Sequence, residues 1–345
     1  MTSDPVRFGV VGLGRAGWDI HVAQLRGRED VRIVAVADPV AERREQAVAE
    51  FACRAHESID SLLAQDDVEV VIVATPSAAH APDTLNALSR GRHVVVEKPM
   101  ALSLTDADAM IDAADRARRQ LFVHQNYRFF PEFLLLREMI DGGTIGRVFH
   151  IRNYISSFAR RNDWQTLSKN GGGVLNNTAV HFIDQILQLL PGKVARVTGS
   201  LQQIASAGDV EDHVKALLRD ETGATADLEI STAENIAVPL PKWVLCGTTG
   251  TLTCDGPTMT VRWFDPAQVK PLQAIDGPAQ ARRYGNDDQL PWQERKFDVP
   301  PREPRAFYDN VIGVLRRNEP MRVQPRSVRE TMRVIQMIRD SARAG

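Results

Sequence analysis

Apolar and polar positions follow two different rhythms along this chain. In the first third, short runs rich in Val, Ile and Ala recur at residues 8–12, 31–37, 68–74, 93–97 and 121–124. They are apolar on both faces, which is the pattern of strands covered by a layer on each side. Between them lie segments with helical spacing, for example 40–51 and 79–90. Strand and helix in alternation predict βαβ units and a parallel sheet. A helix over 129–141, closed by Gly142-Gly143, ends this part. After Gly146 the rhythm changes. Residues 147–156, 193–203, 212–219, 225–232 and 243–246 read as strands joined by short turns, with one strong helix inserted at about 174–190. That predicts a mostly antiparallel sheet. Residues 265–304, rich in Pro, Gly and charge, read as a long loop. Helices over 305–317 and 327–343 close the chain. The expected division is 1–124 and 125–345.

Composition narrows the functions. A length of 345 residues with 43% hydrophobic content suits two globular domains rather than a disordered chain. With 42 basic and 44 acidic residues, nothing favours a nucleic-acid or anionic-membrane partner. Cys53, Cys246 and Cys254 are scattered, match no zinc spacing and make no disulfide framework. They are read as reduced structural thiols, and no metal is expected. Residues 1–5 lead straight into a strand with no secretory pattern, and no apolar run is long enough for a bilayer. The expectation is a cytoplasmic protein.

The first chemical signal is Gly12-Leu13-Gly14-Arg15-Ala16-Gly17, directly after the first strand and before a helical stretch. In that context G-x-G-x-x-G reads as a dinucleotide turn. Gly12 makes the turn, Gly14 admits a pyrophosphate and Gly17 lets helix and strand approach. Amides at the helix start face the phosphate charge. Asp38 ends the second strand, 21 residues after Gly17. A carboxylate there accepts from the adenosine ribose diol and repels a 2′-phosphate, so NAD is favoured over NADP. Arg43 and Arg44 would suit NADP, but in the following helix they are read as solvated. The expected fold class is therefore α/β plus α+β: a Rossmann doubly wound parallel sheet, then an open-faced, mostly antiparallel sheet domain.

The second signal is Glu97-Lys98-Pro99, at the carboxyl end of a strand where open α/β sheets bind ligands. The proline is a candidate for a cis bond, and burial would lower the lysine's pKa. The third is the run Gly171-Gly172-Gly173 followed by Asn177, Thr178, His181 and Asp184. On a helix Asn177 and His181 share a face, and Asp184 lies three residues further on. Asn and Asp neighbours are placed to fix the imidazole tautomer, and the glycines to admit a ligand.

Together with Thr75-Pro76 and His80, these motifs resemble the glucose-fructose oxidoreductase, inositol dehydrogenase and rhizopine-catabolism oxidoreductase family over nearly the whole chain. The resemblance implies hydride transfer between a nicotinamide and a secondary alcohol or ketone of a sugar, inositol or related polyol, in a homodimer or homotetramer. It implies Lys98 as the donor to the reacting oxygen and His181 as acid/base. It puts Leu13, Arg15, Ala16, Thr75, Pro76, His80, Glu97, Lys98 and Trp164 near the cofactor, and Tyr127, Arg128, Asn177 and Thr178 near the substrate. Two positions depart from the family pattern. Asn177 stands where relatives often carry an aspartate, so it orients substrate and loses the charge that would raise the histidine. Ala179 replaces a usual glycine and narrows the pocket. Two other readings stay open: a redox-neutral, NAD-dependent glycoside-cleaving enzyme, and a non-catalytic dinucleotide sensor. Turnover without net nicotinamide absorbance change would mark the former, and tight binding without turnover the latter.

Overall fold

The structure is a computed structural model describing residues 4–274, 276–278 and 288–344. Six strands form the first sheet: β1 (Val6–Val11), β2 (Val31–Ala37), β3 (Arg54–His56), β4 (Val70–Val73), β5 (His93–Val96) and β6 (Leu121–Val123). Their order is β3-β2-β1-β4-β5-β6, and every pairing is parallel. This is the doubly wound order, with its crevice at the carboxyl ends of β1 and β4, where the order reverses. β4 has no exposed residue and β5 one half-buried residue, so the double covering read from the Val-rich runs holds.

The second sheet has eight strands: β7 (Val148–Ser156), β8 (Val194–Gln202), β9 (His213–Asp220), β10 (Thr225–Ser231), β11 (Trp243–Gly247), β12 (Gly250–Cys254), β13 (Thr258–Trp263) and β14 (Gln293–Asp298). They run β14-β13-β12-β11-β7-β10-β9-β8, and only the central β7–β10 pair is parallel. In β9, Val214, Ala216 and Leu218 are buried while Lys215, Leu217 and Arg219 face out, the alternation of a half-covered sheet. The helix Val180–Leu189 lies against the covered face and touches β10.

One expectation fails here. The loop read over 265–304 contains β14, whose Gln-Glu-Arg-Lys sequence has no apolar period to read. Charge suits a terminal strand, because it discourages pairing with another chain. Of the same expected loop, 275 and 279–287 lie outside the described residues. The Thr-rich strands β12 and β13 also carried too weak a period to be read.

The last two helices return to the first sheet. In Ala306–Arg317, Tyr308 is fully buried and meets Phe8 of β1 edge-on at 5.8 Å. Arg316 grips Glu69 with two bonds of 2.6 Å. The helix Pro325–Ala344 packs on β8, β6 and the helix Leu104–Ala117. No helix among the described residues is long and apolar enough to cross a membrane.

Candidate active site

The glycine turn is built as its spacing suggests. A Cβ on Gly12 would lie 2.6 Å from the Ala74 carbonyl oxygen, and one on Gly17 would lie 1.8 Å from that of Gly12. A Cβ on Gly14 would meet nothing within 4 Å. The first and third glycines are thus required by backbone contact, while the second faces open space, as a pyrophosphate cradle needs. The helix that follows opens with wide π-helical turns over Ala16–Val22 and tightens at Ala23–Leu25.

Asp38 is 3% exposed. Its carboxylate accepts from the Leu13 amide (2.7 Å) and the Val40 amide (2.9 Å), which ties the end of β2 to the glycine turn. The arginines read as solvated are not free. Arg44 donates to the Asp38 carbonyl at 2.7 Å, and Arg43 reaches the Asp38 carboxylate at 3.5 Å. Both answer the aspartate's own charge and dipole before any ligand's.

Lys98 follows β5 and precedes a cis bond to Pro99. Its ammonium crosses to the second sheet domain and donates to the Asn177 carbonyl at 2.7 Å, leaving two protons free. Burial pushes it below the usual lysine range; Glu97 opposes this, and Arg15 and Arg161 add to it. His80 braces the loop, with Nδ1 2.7 Å from the Pro99 carbonyl and Nε2 2.9 Å from that of Thr75. The Thr75 hydroxyl donates to Asp83, and Pro76 leads into the turn Ser77–Ala79. Glu97, expected at the cofactor, is instead buried, and its oxygens face His21, His124 and the Lys98 amide.

His181 lies one helical turn beyond the carbonyl that Lys98 holds. Its Nδ1 is 3.0 Å from Oε1 of the fully buried Gln125, and its ring stacks on Tyr127 at 3.9 Å and 10°. With Nδ1–H donating to Gln125, Nε2 keeps a lone pair and has no protein partner among the described residues. Burial, then the Lys98 charge, hold the imidazole well below the usual histidine range. The expected tautomer partners are corrected. Asp184 takes a bidentate Arg128 (2.6 and 2.7 Å) and the Thr331 hydroxyl (2.9 Å), and the Asn177 side chain has no hydrogen-bond partner among the described residues. That also removes Arg128 from the substrate list: it is buried and bound to Asp184 and Ser327. Tyr127 remains half-buried, its hydroxyl without a partner among the described residues, and Thr178 is half-buried. Trp164 is 40% exposed on the turn Trp164–Thr166.

The glycine run has a different purpose from the one expected. Added Cβ atoms on Gly171, Gly172 and Gly173 would strike Leu102, the Gln165 carbonyl and Glu211 at 2.2–2.7 Å. These glycines admit neighbouring protein, not a ligand. Gln125 was the missed residue. Its place just beyond β6, at the carboxyl edge of the sheet, was a usable signal.

Two groups gather metal-type donors: His21, Glu97 and His124, and His213, Glu229 and Glu234. In the first, nitrogens stand 2.7 and 3.0 Å from one carboxylate oxygen. That is hydrogen-bond spacing, tighter than the roughly 3.3 Å between donors on tetrahedral zinc. In the second, Glu229 already holds Lys215, and Glu234 the Tyr154 hydroxyl.

The histidines predict acid sensitivity. Burial depresses His21, His80 and His181, and pushes His93 down to about 4. Below the unfolded histidine pKa, the unfolded chain then binds more protons than the folded one. Stability is full above about pH 6.5 and falls as the pH drops. Melts at about pH 7.5 and about pH 5 should show a clear fall in Tm; an unchanged Tm would contradict the buried neutral histidines.

Fold and site together define a two-domain, dinucleotide-binding protein. Residues 6–125 match the model of the oxidoreductase family with an NAD-binding Rossmann fold, and residues 133–253 match the GFO/IDH/MocA C-terminal domain. The chain belongs to the Gfo/Idh/MocA oxidoreductase family, and its N-terminal domain is an NAD-binding Rossmann fold. It is 36% identical over 230 residues to 1-carboxy-3-chloro-3,4-dihydroxycyclohexa-1,5-diene dehydrogenase of Comamonas testosteroni, covering 66% of this chain and 58% of that protein. It is 31% identical over 227 residues to inositol 2-dehydrogenase of Rhizobium meliloti, covering 64% and 67% respectively. The chain thus spans less than two thirds of the first of these relatives. Among solved structures, an NAD-binding protein from Listeria innocua superposes with a TM-score of 0.81 at 27% identity, over 99% of this chain and 96% of that one.

Proposed function

We propose that this protein is an NAD-dependent dehydrogenase acting between a secondary alcohol and a ketone on a sugar, inositol or related polyol. The observation that carries the reading is the bond from Lys98 to the Asn177 carbonyl, one turn before a histidine with an open Nε2. The names of the two relatives, dehydrogenases of ring-borne hydroxyls, point the same way. The glycine turn and Asp38 fit the dinucleotide: Gly14 opens on the phosphates, and the carboxylate has lone pairs left for a ribose diol. When bound, NAD supplies the hydride acceptor.

The chain's own residues position the substrate and move the proton. Lys98 directs its remaining N–H groups at the substrate oxygen and stabilises negative charge that develops there. His181, neutral because of burial and Lys98, accepts the hydroxyl proton at Nε2 during oxidation and returns it during reduction. Asn177 and Thr178, whose side chains have no hydrogen-bond partner among the described residues, orient neighbouring hydroxyls, with Tyr127 at the cleft wall. Trp164 covers the cofactor from the second domain. The proposal includes the division into 1–124 and 125–345, a homodimeric or homotetrameric state and a cytoplasmic location. Size-exclusion chromatography with light scattering reads the assembly.

The direct test is a screen of sugars, inositols and their keto forms with NAD and NADP, followed at the nicotinamide absorbance. Substrate turnover without absorbance change would replace this reading by redox-neutral chemistry. Tight NAD binding with no turnover would replace it by sensing.

Cofactor choice has its own test. In Asp38→Ser the repulsion toward a 2′-phosphate is gone, while Arg43 stays close by. A charged hydrogen bond of about 1.5–3 kcal/mol corresponds to a shift of roughly 10–100-fold in the NAD/NADP ratio of kcat/KM toward NADP. An unchanged ratio would remove Asp38 from ribose recognition.

A further inference from the structure

Behind the lysine loop, four polar side chains form a buried chain that the proposed reaction does not use. Tyr308, from the helix Ala306–Arg317, places its hydroxyl 2.6 Å from Nδ1 of His21. Nε2 of His21 lies 3.0 Å from Oε1 of Glu97, and Nδ1 of His124 lies 2.7 Å from the same oxygen. The other oxygen accepts from the Lys98 amide at 3.1 Å. Tyr308 and His21 are wholly inaccessible, and His124 and Glu97 are 2% and 5% exposed.

Two links of the chain are hydrogen bonds: the Tyr308 hydroxyl with His21 Nδ1, and His124 Nδ1 with Glu97. His21 Nε2 stands beside the same carboxylate oxygen without hydrogen-bond alignment, so that contact is electrostatic. The carboxylate carries the charge. Burial drives His21 down and the Tyr308 hydroxyl up, which agrees with this pattern. Burial alone would raise Glu97, but the contacts with His124 and His21 outweigh it and hold the carboxyl well below its usual range.

A charge buried among neutral donors is costly unless something nearby answers it. Here the next residue is Lys98, whose ammonium has no carboxylate within ion-pair distance among the described residues. We propose that Glu97, fixed by His21, His124 and Tyr308, is a positioning carboxylate whose charge holds Lys98 as an ammonium. The charged and titratable groups around Lys98 are Glu97, Arg15, Arg161, His181 and His80. Burial, Arg15 and Arg161 all favour the neutral amine, and Glu97 alone opposes them. The catalytic consequence rests on the role given to Lys98 above, but the electrostatic coupling does not.

The test reads both. In protein labelled with 13C at lysine Cε, with the Lys98 signal assigned by its loss in Lys98→Arg, Glu97→Gln should lower the lysine's titration midpoint by about 1–3 pH units. The alkaline limb of kcat should move down by the same amount, while kcat at lower pH returns toward wild type. A merely structural glutamate would give no such recovery. Glu97→Asp, which keeps the charge, should stay near the wild-type profile. A folded, NAD-binding Glu97→Gln protein with an unmoved lysine titration overturns the proposal. If that variant does not fold, the wild-type titration decides: a Lys98 already neutral at about pH 7.5 overturns it, and an ammonium there supports it. A shifted lysine with an unmoved kcat profile supports the coupling and counts against Lys98 as a catalytic residue.

Discussion

Lys98→Ala should lower kcat by roughly 10²–10⁴-fold, the range for a positioned proton-handling or charge-stabilising group, with little change in NAD affinity. Its ammonium holds the Asn177 carbonyl and has two further N–H groups for a substrate oxygen. That oxygen is neutral in the ground state and gains negative charge as its proton passes to the base, so the contact strengthens on the way up the barrier. Loss of such an interaction appears in kcat rather than in KM. The dinucleotide contacts argued above lie at Gly14 and Asp38, on other strand ends, so the Kd for NAD should stay within a few-fold. Steady-state kinetics with fluorescence titration of NADH separate the two quantities. Near-normal kcat would remove the lysine from the chemistry; a proportionate loss of NAD binding would recast it as a cofactor residue.

The sequence announces the parts of this site that rest on short-range rules. The glycine turn, Asp38 and the lysine after β5 are each fixed by position relative to a strand end, and strand ends follow from apolar runs. The inserted helix is equally legible, because Ile183, Ile186, Leu187 and Leu190 keep a helical period, and all but the half-buried Leu187 are buried. Contacts that join distant segments are not. Tyr308 and His21 are 287 residues apart, and Arg128 meets Asp184 across 56. No local period reports such pairs. The assignment of Asp184 to the histidine failed for that reason. Three residues along a helix put Asp184 near His181, yet a buried guanidinium has the stronger claim on a carboxylate. Likewise a glycine run reads the same whether ligand or protein fills the space above it. β14 was missed because a charged terminal strand carries no apolar alternation.

His181→Ala should cost turnover on the same scale, roughly 10²–10⁴-fold, with NAD affinity again little changed. The informative companion is Asn177→Asp. In the present protein the histidine's partner is the neutral Gln125, and Lys98 repels a second positive charge, so the imidazole stays neutral far into acid. As a base it works only when neutral. Oxidation should therefore persist below about pH 6.5 and fade only as the pH drops through the depressed value. A carboxylate at 177, one helical turn away and on the same face, favours the imidazolium and raises that value. The acid limb of kcat should then move to higher pH by about one unit or more, and the Lys98 limb should rise with it, since the same charge favours the ammonium. Both limbs moving upward together is an outcome that a change in packing would not produce. An Asn177→Asp enzyme with an unmoved acid limb, or a His181→Ala enzyme with near-normal kcat, would take the histidine out of the mechanism and leave Lys98, or a water it holds, to carry the proton.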